Sequence, residues 1–226
     1  MRETFQEVAS PDGTNIAFDR LGDGPPVIVV CGAMCDRALM RPTAEELAKH
    51  FTVFNYDRRG RGDSRDTTPY AVGREIEDIG ALVAEAGGTA SVYGHSSGVG
   101  LVLHAAAHGV PMAKIVLHDP PYAPDGDEEA RRSSREYGEK LKATLSEGRR
   151  GDAVELFMTL VGMPQEMLEG LRHTPGGRSW RPWRPRSPTT RRSWATSARK
   201  ARSRSSRPAG SRSPPSCSSA ERTTRG

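Results

Sequence analysis

Apolar positions over the first 122 residues fall into short continuous runs separated by stretches of helical period. Pro26-Val27-Ile28-Val29-Val30-Cys31, Thr52-Val53-Phe54-Asn55-Tyr56, Ala90-Ser91-Val92-Tyr93 and Ala113-Lys114-Ile115-Val116-Leu117-His118 have strand length, and the uninterrupted ones suit strands buried on both faces. Phe5–Ala9 and Asn15–Asp19 flank Pro11-Asp12-Gly13-Thr14, a hairpin signal. A helix is predicted over Pro42–Phe51, with the proline at its start. Another runs from about Pro69 to Ala86, where Ile76, Ile79, Leu82 and Val83 form one stripe. A third follows as Val99–Ala107. Strands alternating with helices predict an α/β fold, doubly wound around a mostly parallel sheet. Residues 1–122 form that core.

The pattern then becomes helical throughout. Glu128–Arg132, Ala153–Met158 and Met163–Leu171 read as helices of a separate segment, 123–173. Phe157, Met158, Leu160 and Met167 are its larger apolar side chains. They are expected either to line a pocket or to pack on the core.

At residue 174 the apolar pattern ends. Residues 174–226 contain no Leu, Ile, Val, Met, Phe, Tyr, Asp or His, but 13 Arg, 12 Ser and all three Trp. A segment of this kind cannot bury a core, and it is expected to be disordered or read out of frame. With Lys200 and the single acid Glu221 it carries +13, so residues 1–173 carry −8 of the chain's +5. The mean hydropathy of −0.62 and pI of 9.4 therefore average an acidic body with a basic tail. No run approaches the ~18 apolar residues of a membrane span, and Met1-Arg2-Glu3-Thr4 lacks a signal peptide's apolar segment. The expectation is a cytoplasmic protein without a membrane partner. Cys31, Cys35 and Cys217 lack the paired spacing of a zinc site or a disulfide framework, so no metal or other cofactor is indicated. Cys31 is expected to pack as a small apolar residue at a strand end.

Gly94-His95-Ser96-Ser97-Gly98 is the chemical signal. A G-x-S-x-G pentapeptide between a predicted strand and a predicted helix has the setting of a nucleophile elbow, with Ser96 as nucleophile. The turn forces strained backbone angles on the serine, and small residues at 94 and 98 let strand and helix approach. The Ser97 amide then sits at a helix N-terminus, where negative charge is favoured.

With that elbow, residues 5–173 resemble the α/β-hydrolase family. Cys31-Gly32-Ala33-Met34 stands at the place of the family's His-Gly oxyanion loop, with cysteine replacing histidine. Tyr56-Asp57-Arg58-Arg59-Gly60-Arg61-Gly62-Asp63-Ser64 looks like its D-x-R-G-x-G-x-S loop, and His118-Asp119-Pro120-Pro121 like the acidic turn leading into a helical cap. The resemblance implies a small-molecule acyl substrate of ester, lactone or thioester type. It implies an oxyanion hole made by the amides of Ser97 and of Ala33 or Met34, and it makes 123–173 the cap. Asp57, Arg58 and Asp63 are expected to organise their loop through side-chain-to-backbone bonds. His95 is expected to be a pocket or packing residue. His104 and His108, at i, i+4 spacing, read as surface or core-edge helix residues rather than metal ligands.

The family's order of serine, acid, histidine is not completed. Asp119 is a candidate acid, but no histidine follows a late strand, and a serine without a base is a weak nucleophile. Activity of the chain as spelled is therefore expected to be absent or impaired. The tail suggests a cause. When the last base of each codon is joined to the first two of the next, Pro215–Thr223 can yield Val-Val-Leu-Val-Gly-Gly-Ala-Asp, and Pro182–Thr190 can yield Leu-Ala-Pro-Thr-Leu-Ala-Tyr-Asp. One shift serves both segments, and tryptophan has a single codon. A frame change near Thr174–Arg178 is the expectation. Two other classes of function stay open. One is an α/β-hydrolase-like protein that binds a small ligand without turnover. The other is nucleic-acid binding through Arg202-Ser203-Arg204-Ser205-Ser206-Arg207 and the interleaved Trp180, Trp183 and Trp194, if the basic tail is genuine. Oligomeric state is not legible.

Overall fold

The computed structural model describes residues 5–122 and 125–173. The basic tail and Cys217 lie outside them. In chain order the elements are β1 (Gln6–Ala9), β2 (Asn15–Leu21), β3 (Pro26–Val30), α1 (Arg37–Leu47), β4 (Thr52–Tyr56), α2 (Val72–Glu85), β5 (Ala90–His95), α3 (Ser97–Ala107), β6 (Met112–His118), α4 (Glu128–Ser146), α5 (Arg150–Leu160) and α6 (Gln165–His173).

Six strands form one sheet in the order β1-β2-β4-β3-β5-β6. The β1–β2 hairpin is antiparallel to itself and to β4. From β4 to β6 every pairing is parallel. The apolar runs sit where their composition demands. Every residue of β4 is buried, as are Val27 to Val30 of β3, because helices cover both sheet faces.

On one face α2 and α3 bury Ile76, Ile79, Leu82, Leu101 and Val102 against Ile28, Val30, Phe54 and Val92. On the other, α1 sets Met40 and Ala44 against Val29, Cys31 and Val53. Cys31 is fully buried in this second layer, as a small apolar residue would be. Burial pushes its thiol above the ordinary value, Arg61 and Arg58 notwithstanding, so it remains protonated and unreactive. Cys31 and Cys35 are both free thiols.

α1 begins five residues ahead of the predicted start. The Asp36 carboxylate accepts the Leu39 N–H at 2.9 Å and caps the helix there. Pro42 consequently lies inside the helix, where its ring removes one backbone bond while Met40 and Ala44 on the inner face hold the turn in place.

The connections determine where a site can form. From β3 the chain crosses by α1 to β4 on one side, and from β5 it crosses by α3 to β6 over the opposite face. β3 and β5 are neighbours, so their C-terminal ends part at the point where the winding reverses, and a crevice opens there. The loops carrying Gly32 to Cys35 and Ser96 lie at that point.

α4, α5 and α6 follow β6. α4 packs on α5 and α5 on α6, with Tyr137, Thr144, Ala153, Val154 and Leu168 buried. Leu160 and Met167 remain exposed, while Phe157 and Met158 are half-buried.

Candidate active site

Ser96 joins β5 directly to α3 and takes φ 51°, ψ −122°, a left-handed backbone that costs a non-glycine residue about 1–3 kcal/mol. The surroundings hold it there. Its N–H donates to the His118 carbonyl at 2.9 Å, and its carbonyl accepts the Val99 N–H at 3.0 Å.

The two flanking glycines are required by space. A Cβ on Gly98 would stand 2.2 Å from the Val30 carbonyl oxygen and 2.9 Å from that of Cys31. One on Gly94 would meet Val102 Cγ2 at 2.9 Å and Val99 Cα at 3.1 Å. The helix therefore packs backbone to backbone against β3, and the strained serine is clamped between two contacts that admit no side chain.

The loop after β3 lies against the same residue. A Cβ on Gly32 would come 3.0 Å from Ser96 Cβ and 3.3 Å from His95 Nδ1. Ala33 and Met34 follow half-buried, Met34 with φ 61°. Ser97 opens α3, so its amide is one of the free donors of a helix N-terminus. Ser96, the Ser97 amide and Gly32, which leads into Ala33 and Met34, thus meet at one corner of the crevice.

The arginine-rich loop holds that corner rather than entering it. Arg61 Nη1 donates to the carbonyls of Gly32 at 2.6 Å and Cys35 at 3.1 Å. Arg58, buried, forms a two-pronged pair with Glu75 at 2.6 and 2.8 Å and reaches the Cys31 carbonyl at 3.4 Å. Burial alone would lower the Arg58 guanidinium's pKa, but the Glu75 carboxylate holds it above the ordinary value. Asp57 accepts the N–H groups of Arg37 at 2.8 Å and Asp63 at 2.9 Å, and the Arg37 guanidinium at 2.9 Å. Asp63 pairs with Arg37 in turn. Asp57 is bonded in the expected side-chain-to-backbone manner. Arg58 acts chiefly through a buried ion pair, and Asp63 contributes its amide to Asp57.

The sequence motifs assign no role to Arg37, Arg59, Arg61, Glu75 or Asp78. A signal was present, because Glu75 and Asp78 lie beside Ile76 and Ile79 on the stripe that α2 buries, and buried acids require buried cations.

His95 and His118 are register partners on β5 and β6, with ring centroids 5.4 Å apart. The Tyr93 hydroxyl pairs with His118 Nδ1. His95 Nδ1 is buried and, among the described residues, has no hydrogen-bond partner. Burial lowers its pKa and the neighbouring His118 adds to this, while Asp119 opposes both. Asp119 follows β6 in an exposed position with φ 52°, one residue past His118. Among the described residues no side chain is hydrogen-bonded to the Ser96 hydroxyl. The His108 ring Nδ1 meets the His104 carbonyl at 2.7 Å, and no group of three or more His, Cys, Asp or Glu residues among the described positions could hold a metal. No described helix is long and apolar enough to cross a membrane.

A three-layer α/β sheet with a strained serine at its winding reversal defines the hydrolase class of this architecture. The profile of the alpha/beta hydrolase family matches residues 27–215, and the chain belongs to that family. An alpha/beta hydrolase from Sphaerobacter thermophilus is 49% identical, with a TM-score of 0.66 over 79% of this chain and 69% of that one. An alpha/beta hydrolase fold protein from Burkholderia ambifaria, 24% identical with a TM-score of 0.59 over 85% of this chain and 74% of its own, shares the fold. Among curated proteins, the N-formylmaleamate deformylase of Pseudomonas putida is 33% identical over 109 residues, 46% of this chain and 41% of that protein. An uncharacterised hydrolase of Bacillus subtilis is 32% identical over 114 residues, 48% of this chain and 42% of that protein. The chain spans about two fifths of the length of the curated relatives it matches.

Proposed function

We propose that this chain carries the acyl-transfer half of a serine hydrolase for small acyl substrates, with Ser96 as nucleophile and the amides of Ser97 and of Ala33 or Met34 as oxyanion donors. The observation that carries the reading is the backbone of Ser96, φ 51° between two glycines that tolerate no Cβ. Strain of that order persists where a function uses it, and here it lifts one hydroxyl over a helix N-terminus. A relative named as a deformylase agrees with a small acyl substrate.

As spelled, the chain is impaired. Ser96 has no base on its hydroxyl among the described residues, and the residues after 173 offer no histidine. Loss of triad members leaves about 10³–10⁴-fold acceleration over water, from the oxyanion donors and binding alone. We take Asp119, which follows β6 and acts electrostatically on His95, as the candidate acid.

A fluorophosphonate probe tests the assignment. Slow covalent labelling that disappears in Ser96→Ala is expected. Labelling that survives Ser96→Ala, or that resides on another residue by peptide mapping, removes Ser96 from the role. Binding of small acids or esters by an unlabelled protein would favour a ligand-binding function without turnover.

A further inference from the structure

Exposed large apolar side chains form two groups. Ile115, Val116 and Leu117 lie along the edge strand β6, and Leu160, Val161 and Met167 gather about the turn between α5 and α6. The second group adjoins the point where the chain passes into its basic segment.

That turn is a fixed frame. Gly162 takes φ 84° and its N–H donates to the Thr159 carbonyl at 3.1 Å, while the Met163 N–H reaches the Met158 carbonyl at 3.0 Å. The Pro164 carbonyl then accepts the N–H groups of Met167 and Leu168 at 3.0 and 3.2 Å, which opens α6. Leu168 turns inward and is buried, whereas Met167 beside it is 57% exposed and Val161 58%. Gly170 lies three residues after Met167 and four after Glu166, so the three are neighbours on the helix surface. A Cβ on Gly170 would meet nothing within 4 Å. The outer face of α6 is therefore an exposed thioether, a bare strip and two exposed acids, Glu166 and Glu169.

The residues that follow α6 hold a matching pattern. Trp180-Arg181-Pro182-Trp183-Arg184-Pro185 is one three-residue unit given twice. Proline at every third position favours an extended backbone of three residues per turn, and that period sets Trp180 and Trp183 on one edge, with Arg181 and Arg184 on the next. Six residues separate His173 from Trp180, enough to span up to ~20 Å, and Pro175-Gly176-Gly177 among them is a turn signal. α6 itself has nine residues, about 13 Å of helix. The repeat can thus fold back along α6 as far as Val161. Charge favours this face over β6, because Glu166 and Glu169 attract arginines while β6 exposes Lys114.

We propose that the α5–α6 turn is a docking surface for this chain's own Trp-Arg-Pro repeat, residues 180–185. Trp180 and Trp183 sit on Leu160, Val161 and Met167 across the bare strip at Gly170, and Arg181 and Arg184 stand over Glu166 and Glu169. Contact of indole with aliphatic and thioether groups carries the binding. The exposed ion pairs add little and set the direction of the segment. The assignment uses the chain as spelled and stands independently of the chemistry of Ser96.

Tryptophan fluorescence tests it without any added label, because all three tryptophans of the chain lie beyond residue 173. In the full chain, emission blue-shifted from that of a synthetic 174–226 peptide is expected, with acrylamide quenching at least twofold weaker, at every protein concentration. Trp180→Phe combined with Trp183→Phe should leave a residual Trp194 signal like the peptide's, whereas Trp194→Phe should keep the blue shift. Val161→Lys with Met167→Lys should return emission and quenching to the peptide's values. Glu166→Lys with Glu169→Lys should strengthen quenching more at low salt than at high salt. Emission and quenching equal to the peptide's in the full chain overturn the proposal. So does a blue shift that survives the Val161 and Met167 replacements, which would seat the tryptophans on another face. A shift that grows with protein concentration also overturns it, giving the contact to a second copy. The tryptophan replacements lie outside the packed helices, so they decide the matter even where the lysine pair disturbs α6.

Discussion

Two residues carry most of the local argument, and each is a matter of space. Ser96 holds φ 51° where glycine would rest without strain. Ser96→Gly is therefore expected to stabilise the fold by about 1 kcal/mol relative to Ser96→Ala, which loses the hydroxyl but keeps the strain. Urea unfolding of the two variants measures the difference. Equal midpoints would mean that the elbow stores no strain. Gly98 acts in the opposite sense. A methyl group there meets two backbone carbonyl oxygens, at 2.2 and 2.9 Å, and neither can swing aside as a side-chain tip would. Gly98→Ala should cost about 3 kcal/mol through forced separation of α3 from β3, seen as a fall in the melting temperature. The pentapeptide was legible because only this packing demands small residues at both its ends. Glu75 and Asp78 were not, because acids on a helix read as solvent-facing until a cation is placed over them.

The elements differ in how plainly the residues announce them. β3 and β4 are mainly apolar runs buried on both sides, and such runs admit few other readings. α1 was displaced by five residues because Pro42 mimics a start signal, whereas the Asp36 side chain on the Leu39 amide, 2.9 Å away, starts the helix in fact. The β1–β2 hairpin is anchored by charge that its turn does not advertise. Arg59, fully buried, binds Asp78 on α2 and Asp12 in the turn, both at 2.7 Å. The Arg59 guanidinium beside Asp12 holds that carboxyl below the ordinary carboxylate range. A group depressed in the folded state contributes stability above its unfolded pKa, which is lost as pH falls through the carboxylate range. Burial raises Asp57 and Asp78 instead, so their contribution runs the other way and eases as the pH drops. Asp12→Asn isolates the first effect. Its urea midpoint should lie below that of the parent protein at pH 6, and the gap should narrow by pH 3. No gap at any pH would assign Asp12 a purely geometric role in the turn, through the bond from the Thr14 amide at 3.0 Å, which the asparagine Oδ1 can also accept.

At the scale of the whole molecule, the sheet order and both covering layers follow from the alternation of runs, and the site follows from where the winding reverses. The identity of a substrate does not, because among the described residues Leu160 and Met167 are exposed and enclose no pocket that would measure one. Neither does the exposure of β6, which becomes visible only once the strands are placed in order. Charge is the one whole-chain property that composition alone decides. A body of −8 and a tail of +13 are separated along the sequence, and salt screens the field of either on the other. The spelled chain is thus expected to bind single-stranded RNA without sequence preference at low salt. Each phosphate contact made by an arginine releases counterions, and the logarithm of affinity should fall linearly with the logarithm of salt, by about 0.7 per contact. A filter-binding titration from low to physiological salt reads the slope. Removal of residues 174–226 should abolish the binding and leave Ser96-dependent fluorophosphonate labelling unchanged. Affinity that persists without the tail, or that distinguishes one RNA sequence from another, would instead require a recognition surface on the acidic body, where electrostatics alone would repel the ligand.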